Sequence, residues 1–543
     1  MAPETGIMEA VQRGNVEQCA RLIQRDSSVL TEKGWGGFTA LHFAALHGNR
    51  AVAELLLDSG ADTNAPCHAG HTPFHFACRH GNVHVVHKML QLGAELKLRD
   101  HQGRNALHHA TTGGSIVCVQ YLWESGVFSF SDVDLALLTP LHMAVIIANT
   151  DLVRYLLRNN RCAVEAVDSQ GVSALHVAAE RGSVEVSWLL LQHAGVSLLH
   201  TKTHAGHTPL QLCNRGTTYR HRELSKLLSY YEKKPLDYKP TDSHGVYYWT
   251  LLLPSLSGGV VLLISVAMGE YGGVASGILF PILAKATLTQ YHRISSYQRF
   301  PNPVYLGTLS AGILHSTVCL FYKIIPSVWP ATVLLRVCVL ECSVLLLLFW
   351  NLVRRDPGAM TTADAHPKYT TVTQLIQSQE SLQRFCTHCE LFQVDNSKHC
   401  RLCGICVLDY DHHCLFLNRC VGRGNHRLFL LFLVAMVSCH VLFLIGAGLY
   451  LWPLLLGGEE PVTAVMGREA WVLGLAVMNA LTMAWLLWLL WDQYRVVSVG
   501  TTSYFLRPVE VGLTTAQRVR NFLLFLLKGR RVRGPDRGKA YAV

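Results

Sequence analysis

The sequence predicts an all-α protein: a solenoid of helical repeats, then a bundle of six membrane-spanning helices with a cysteine-rich insert between the fourth and fifth. Three observations carry that expectation. A pattern recurs every 33 or 34 residues through the first 230. Six apolar stretches of membrane-crossing length follow position 245. Seven cysteines crowd between positions 386 and 420. A chain of 543 residues exceeds one compact core, and with half its residues hydrophobic and 15% charged it is apolar for a soluble protein. The net charge of +10 is read as lysines and arginines flanking membrane segments, so no nucleic-acid partner is expected. The polar opening "MAPETGIMEAVQRGN" has no signal-peptide pattern, and the N-terminal part is expected in the cytosol. There, the seventeen cysteines are expected to be thiols or metal ligands rather than a disulfide framework.

The repeats align as "TALHFAALHGN" (39–49), "TPFHFACRHGN" (72–82), "NALHHATTGGS" (105–115), "TPLHMAVIIAN" (139–149) and "SALHVAAERGS" (173–183). Weaker copies, "IMEAVQRGN" (7–15) and "TPLQLCNRG" (208–216), extend the series, and an apolar second helix follows each core. These residues resemble the ankyrin repeat, which implies two antiparallel helices and a turn per unit, stacked seven deep over residues 1–230. Each unit has an apolar face that it buries only against its neighbours. The recurring His42, His75, His108, His142 and His176 are expected to bond neighbouring backbone and join one turn to the next rather than to bind metal. The expected role of the array is to present a concave surface to protein partners, with Phe43, Phe76, His109, Met143 and Val177 as groove candidates. The polar stretch 231–248 reads as a linker, so the array is expected to be separable from the membrane segments.

The spans are 249–268, 272–291, 304–322, 329–350, 428–452 and 471–491, with spans one to four and their exit occupying 249–355 and spans five and six 428–491. Basic residues mark one side: Arg293 and Arg299, "NLVRR" at 351–355, and Arg518, Arg520, Lys528, Arg530, Arg531 and Arg533 in the tail 492–543. The opposite loops are neutral or acidic, so both termini and the loop 356–427 are expected in the cytosol. Repeats plus six spans also describe certain cation channels, but the connection between spans five and six is too short for a pore loop. The tail segment 519–533 reads as an amphipathic helix on the membrane surface.

From 386 to 420 the loop reads "CTHCELFQVDNSKHCRLCGICVLDYDHHCLFLNRC". Short C-x2-C knuckles in a reducing compartment point to zinc, and structural zinc takes four ligands. Seven cysteines with His399, His412 and His413 make ten candidates; His388, inside the first knuckle, is expected to point away. Two zinc ions would use eight of the ten. Counting does not say which two remain.

The segment resembles the cysteine-rich domain of the DHHC protein S-acyltransferases, here Asp411-His412-His413-Cys414. "DPG" at 356–358 and Asn425 and Phe429 in "GNHRLF" fit that pattern, and the repeats point to the family's ankyrin-bearing branch. The resemblance implies one zinc on Cys386, Cys389, His399 and Cys406 and a second on Cys400, Cys403, His413 and Cys420. His412 and Cys414 are then the base and the nucleophile, with Asp411 fixing the imidazole. The implied activity moves a long-chain acyl group, from palmitoyl-CoA, through Cys414 to cysteines of cytosolic or peripheral membrane proteins recruited by the repeats. A multi-pass endomembrane location, Golgi or endoplasmic reticulum, goes with it. The rival reading is a non-catalytic membrane-anchored scaffold with a structural zinc domain. Three departures from the family pattern bear on rate and packing: Leu415-Phe416 in place of Pro-Trp, "QVDNSK" before His399, and "TTSY" (501–504), which has Tyr504 in place of a glutamate.

Overall fold

The computed structural model describes residues 6–241, 244–291, 303–328, 332–366, 368–456, 461–506 and 513–529. The chain divides into two compact units, Met1–Asp242 with His366–Phe392, and Ser243–Ala365 with Gln393–Val543.

The first unit stacks helix pairs: Ala40–His47 with Arg50–Asp58, Pro73–His80 with Val83–Gln91, Ala106–Gly113 with Ile116–Glu124, Pro140–Ile146 with Thr150–Leu157, and Ala174–Glu180 with Val184–Ala194. Ile7–Gln12 and Val16–Arg25 open the series, and Pro209–Arg215 and Tyr219–Glu232 close it. The leading helices start where the sequence dictates. Thr39, Thr72, Asn105, Thr139 and Ser173 each form a capping box with the histidine three residues on. The backbone N–H of Thr39 donates to His42 Nδ1 at 3.1 Å, and His42 Nε2 donates to the His71 carbonyl at 3.0 Å. His108, His142 and His176 likewise reach Leu138, Val172 and His207 carbonyls at 3.2, 3.2 and 3.1 Å. Each histidine joins its turn to the next, with both ring nitrogens used. Between the helices, Leu41, Leu56, Leu107, Leu122, Leu141, Leu152 and Leu156 are wholly buried, each contributing roughly 1.5–3 kcal/mol.

The groove expectation needs correcting. Phe76, His109 and Met143 are only 7, 6 and 4% exposed, so they serve the packing between repeats. Phe76 lies 5.4 Å from the Phe38 ring, and His109 Nε2 donates to Asp100 at 3.0 Å. Phe43 and Val177 stay half-exposed.

This unit also takes in a segment from far along the chain. The short helix Val372–Gln377 packs on Val83–Gln91 and Ile116–Glu124. Tyr369, Val372, Leu375, Ile376, Phe385 and Phe392 share the repeats' hydrophobic core.

In the second unit, five helices among the described residues are long and apolar enough to cross a membrane: Tyr247–Ile264, Val304–Ser327, Thr332–Arg354, His426–Leu456 and Ala470–Val497. The expected second span forms the helix Gly272–Tyr291 but is not among the five. Its glycines, Lys285 and polar C-terminal end dilute the apolar run. The tail forms the helix Thr515–Lys528, closed by Arg427, which donates to the Leu526 and Leu527 carbonyls at 2.8 and 2.7 Å. Arg293, Arg299, Arg530, Arg531 and Arg533 lie outside the described residues.

Candidate active site and metal centres

Three two-stranded antiparallel hairpins carry the cysteine-rich sequence: Phe385–Cys386 with Leu391–Phe392, Ser397–Cys400 with Ile405–Leu408, and His412–Cys414 with Arg419–Val421. Strands this short are marginal on their own, so other forces must hold them. The register shows where such forces act, because His399 faces Cys406 and His413 faces Cys420 across their hairpins.

The donor atoms of Cys400, Cys403, His413 and Cys420 all lie within 4.8 Å of one another. His413 Nδ1 is 3.6, 3.3 and 3.7 Å from the sulfurs of Cys400, Cys403 and Cys420. Tetrahedral donors at zinc bond lengths sit ~3.3–3.8 Å apart, so the set fits that ion. The first hairpin carries the sulfurs of Cys386 and Cys389, and in the second His399 Nδ1 lies 3.8 Å from Cys406 Sγ. Gln393 Nε2 donates to Cys406 Sγ at 3.3 Å.

His412 and Cys414 belong to neither group. Successive strand residues point to opposite faces, so His413 turns toward the sulfurs while His412 and Cys414 share the other face. His412 Nδ1 hydrogen-bonds Asp411 Oδ2 at 2.8 Å, and the imidazole also hydrogen-bonds Cys414. Burial works against the imidazolium, but the bonds to Asp411 and Cys414 outweigh it and lift His412 to about 9. Burial also disfavours the Asp411 carboxylate, yet its bond to His412, the nearby charges of His426 and His412 and the Ser503 N–H hold it well below the ordinary carboxylate range.

The support around Asp411 was not legible in the motif. Ser503 N–H donates to Oδ1 at 2.7 Å, and Ser503 Oγ and Gln493 Nε2 donate to Oδ2 at 3.2 and 3.1 Å. Thr502 Oγ1 donates to the Tyr410 carbonyl at 2.8 Å. So the "TTSY" run, despite its missing glutamate, supplies two hydroxyls that position the tetrad. Its Tyr504 stacks edge-on against Tyr410 at 5.4 Å and carries the Lys398 ammonium over its ring at 4.6 Å. Asn425 accepts from Gly422 N–H at 3.0 Å and donates to the Cys420 carbonyl at 2.9 Å, tying the last knuckle to the next helix. Gly422 has no alternative: a Cβ there would meet Val407 at 2.4 Å and the Pro357 carbonyl at 2.6 Å.

Cys414 also lines an apolar cavity of about 450 Å³, with Phe416, Phe432, Met436, Asn479 and Trp485 among its walls. That is within the range of small-molecule sites. Phe416, the departure at the tryptophan position, packs on Tyr305 and Trp485 at 5.9 and 5.4 Å. In the same cavity wall, Asn479 bridges His440 at 2.6 Å and Ser316 at 3.0 Å.

Family models match in two places: DHHC palmitoyltransferase over residues 379–506, and ankyrin repeats over 2–67, 62–133 and 127–202. The chain is an ankyrin-repeat protein with a DHHC palmitoyltransferase domain. Among curated proteins, 56 residues are 45% identical to FYVE zinc finger domain protein UPA1 of Mycosarcoma maydis, covering 10% of this chain and 4% of that protein. A further 65 residues are 37% identical to Ankyrin repeat domain-containing protein 39 of Homo sapiens, covering 12% of this chain and 35% of that protein. The chain therefore spans only a minor part of the curated relatives it matches. Among solved structures, the human ASB11 ankyrin repeat domain is 26% identical with a TM-score of 0.37, covering 42% of this chain and 99% of that one. The ankyrin repeat domain of Bcl-3 is 27% identical with a TM-score of 0.32, covering 42% and 100%. The DHHC domain, its apolar helices and its cysteine–histidine clusters together mark a multi-pass membrane protein with zinc-compatible sites.

Proposed function

We propose that this protein is an S-acyltransferase that moves a long-chain acyl group from acyl-CoA to cysteines of cytosolic or peripheral membrane proteins. The carrying observation is the hydrogen-bonded line Asp411–His412–Cys414, ending on a thiol that borders an apolar cavity. His412, whose basicity the bonds to Asp411 and Cys414 raise, holds the proton given up by Cys414 as the sulfur attacks the thioester carbonyl. The C–S bond to coenzyme A breaks, and the leaving thiolate recovers that proton. The acyl chain lies among Phe416, Phe432, Met436 and Trp485, which exclude water from the new thioester. An incoming substrate thiol reverses the steps, and the exchange of one thioester for another is nearly neutral in energy.

Asp411 fixes the imidazole and stabilises its protonated form. Cys386, Cys389, His399 and Cys406 would hold one zinc and Cys400, Cys403, His413 and Cys420 the other, which supply rigidity to hairpins with little core of their own. The palmitoyl length, the cytosolic side for the tetrad, the six-span count with Gly272–Tyr291 as the second span, and a Golgi or endoplasmic reticulum location belong to the same proposal. Arg354, Arg355, Arg518, Arg520 and Lys528 favour that orientation. The test is purified full-length protein with labelled palmitoyl-CoA. Label on the chain that hydroxylamine releases, and that is absent in Cys414→Ser, is the expected result. No label on a zinc-loaded wild type would favour the scaffold reading instead.

A further inference from the structure

The sequence predicts an array that recruits partners and can be separated from the rest. Yet part of the array's surface is already covered, and the occupant is this chain's own segment His366–Phe392. Val372 and Leu375 are wholly buried, and Ile376, Tyr369, Phe385 and Phe392 are 8, 7, 5 and 5% exposed within the repeats' core. Val372, Leu375 and Ile376 fall at i, i+3 and i+4, so they form one face of their short helix. That helix is held at its start by Glu124, whose carboxylate accepts the Val372 N–H at 2.9 and 3.2 Å.

The polar half of the contact lies on the first cysteine knuckle. Arg161 stands against the rings of Trp123 and Tyr155, at 5.0 and 4.8 Å, and forks onto both oxygens of Glu390, with Nη1 to Oε1 at 2.8 Å. Arg158 donates to the same Oε1 at 3.3 Å and to the His388 carbonyl. The Arg161 and Glu390 side chains are only 10 and 18% exposed, so the pair is shielded from bulk water and is worth more than a surface pair. Its targets, His388 and Glu390, are the residues on either side of Cys389. Glu390 itself sits at φ 56°, in the left-handed region, and its N–H donates to the Cys386 carbonyl at 2.7 Å.

We infer that Arg158 and Arg161 are positioning residues for the Cys386–Cys389 knuckle, so that the ankyrin array holds two of the proposed zinc ligands in place as well as offering a recruiting surface. The hairpin Phe385–Cys386/Leu391–Phe392 has two residues per strand, too few to fix two sulfurs by itself. The array supplies what the hairpin lacks: a floor for Phe385 and Phe392, and a fork that holds the strained turn carrying Glu390. This inference rests on the proposed assignment of Cys386 and Cys389 as ligands.

The test uses the full-length protein in detergent, with its zinc content and the rate of zinc transfer to a chromophoric chelator as readouts. Arg161→Glu is expected to release one of two zinc equivalents about 10–100-fold faster, leaving the other unchanged. The swap Arg161→Glu with Glu390→Arg is expected to restore slow release, which a merely unfolded array would not allow. Hydrogen exchange on the same samples should show lost protection at 385–392 while the repeats keep theirs. Release rates unchanged in Arg161→Glu and in the pair Arg158→Ala with Arg161→Ala would overturn the inference, as would both equivalents leaving together with the repeats intact. A wild type without zinc would remove the ligand assignment alone. The exchange arm then decides the clamp, and unaltered protection at 385–392 in Arg161→Glu would sink it.

Discussion

Histidine does opposite jobs in the two compact units. In the repeats, His42 accepts a backbone N–H at one ring nitrogen and donates to a carbonyl from the other, so its proton is fixed and its basicity falls to about 4 under burial. In the DHHC strand, His412 has a carboxylate and a thiol as partners, and its basicity rises to about 9. Cysteine divides the same way. Cys162 and Cys213 are buried singly, which pushes their thiols up to about 11 and leaves them unreactive, while seven others gather within 35 residues of one loop. Chemistry follows from the second partner of each side chain. A carbonyl there locks a residue, and an ionisable neighbour frees it to exchange a proton.

The sharpest break in that comparison is Cys414→Ser. It is expected to abolish hydroxylamine-labile self-labelling while metal analysis still finds two zinc equivalents; loss of one equivalent would make Cys414 a ligand. Cys403→Ser should do the reverse, losing one zinc equivalent and loosening the hairpin, because the binding energy of a structural site is folding energy. Protease sensitivity of the loop reads that change. His412→Ala and Asp411→Ala are expected to keep both zincs and lose roughly 10²–10⁴-fold in labelling rate under single turnover. Ser503→Ala removes only one of the donors to Asp411, so a loss on the order of tenfold is expected, and a wild-type rate would show that the backbone N–H suffices.

A separate effect, on stability rather than on rate, belongs to the locked histidines. His42 and His75 are held neutral, at about 4 and about 3, below the ~6.5 of an unfolded chain. Their contribution to stability is therefore complete above pH ~6.5 and declines as pH falls, because the unfolded state binds more protons. Each should subtract about 1.4 kcal/mol per pH unit until its folded value is reached. Urea titrations followed by exchange protection of the repeats, from pH 7 to pH 4.5, measure the slope, and His42→Gln should flatten it.

The repeats were readable because their period is covalent: a capping Thr, Asn or Ser three residues before a histidine recurs in every good copy, and the pair is what builds the turn. The cysteine spacing was readable for a like reason, since a knuckle is a local loop. What escaped was long-range. "VTQLIQ" carries a short apolar face, yet six residues do not announce that their partner lies some 250 positions earlier. Ser503 escaped because the departure from the family pattern falls on Tyr504, not on the hydroxyls beside it. The second span stayed ambiguous because glycine and lysine within Gly272–Tyr291 weaken the one signal, continuous apolarity, on which a span is recognised.

The strand His412–Cys414 has one further consequence. It is written in two alternating frames, with positions 412 and 414 read on one face and 413 on the other, in register with Cys420. Inserting a single alanine between Asp411 and His412 keeps every chemical group and shifts the phase by one. The imidazole that lies among the sulfurs would then meet the cavity, and the one bonded to Asp411 would meet the sulfurs. This stretch admits substitution only, because its length is itself the code.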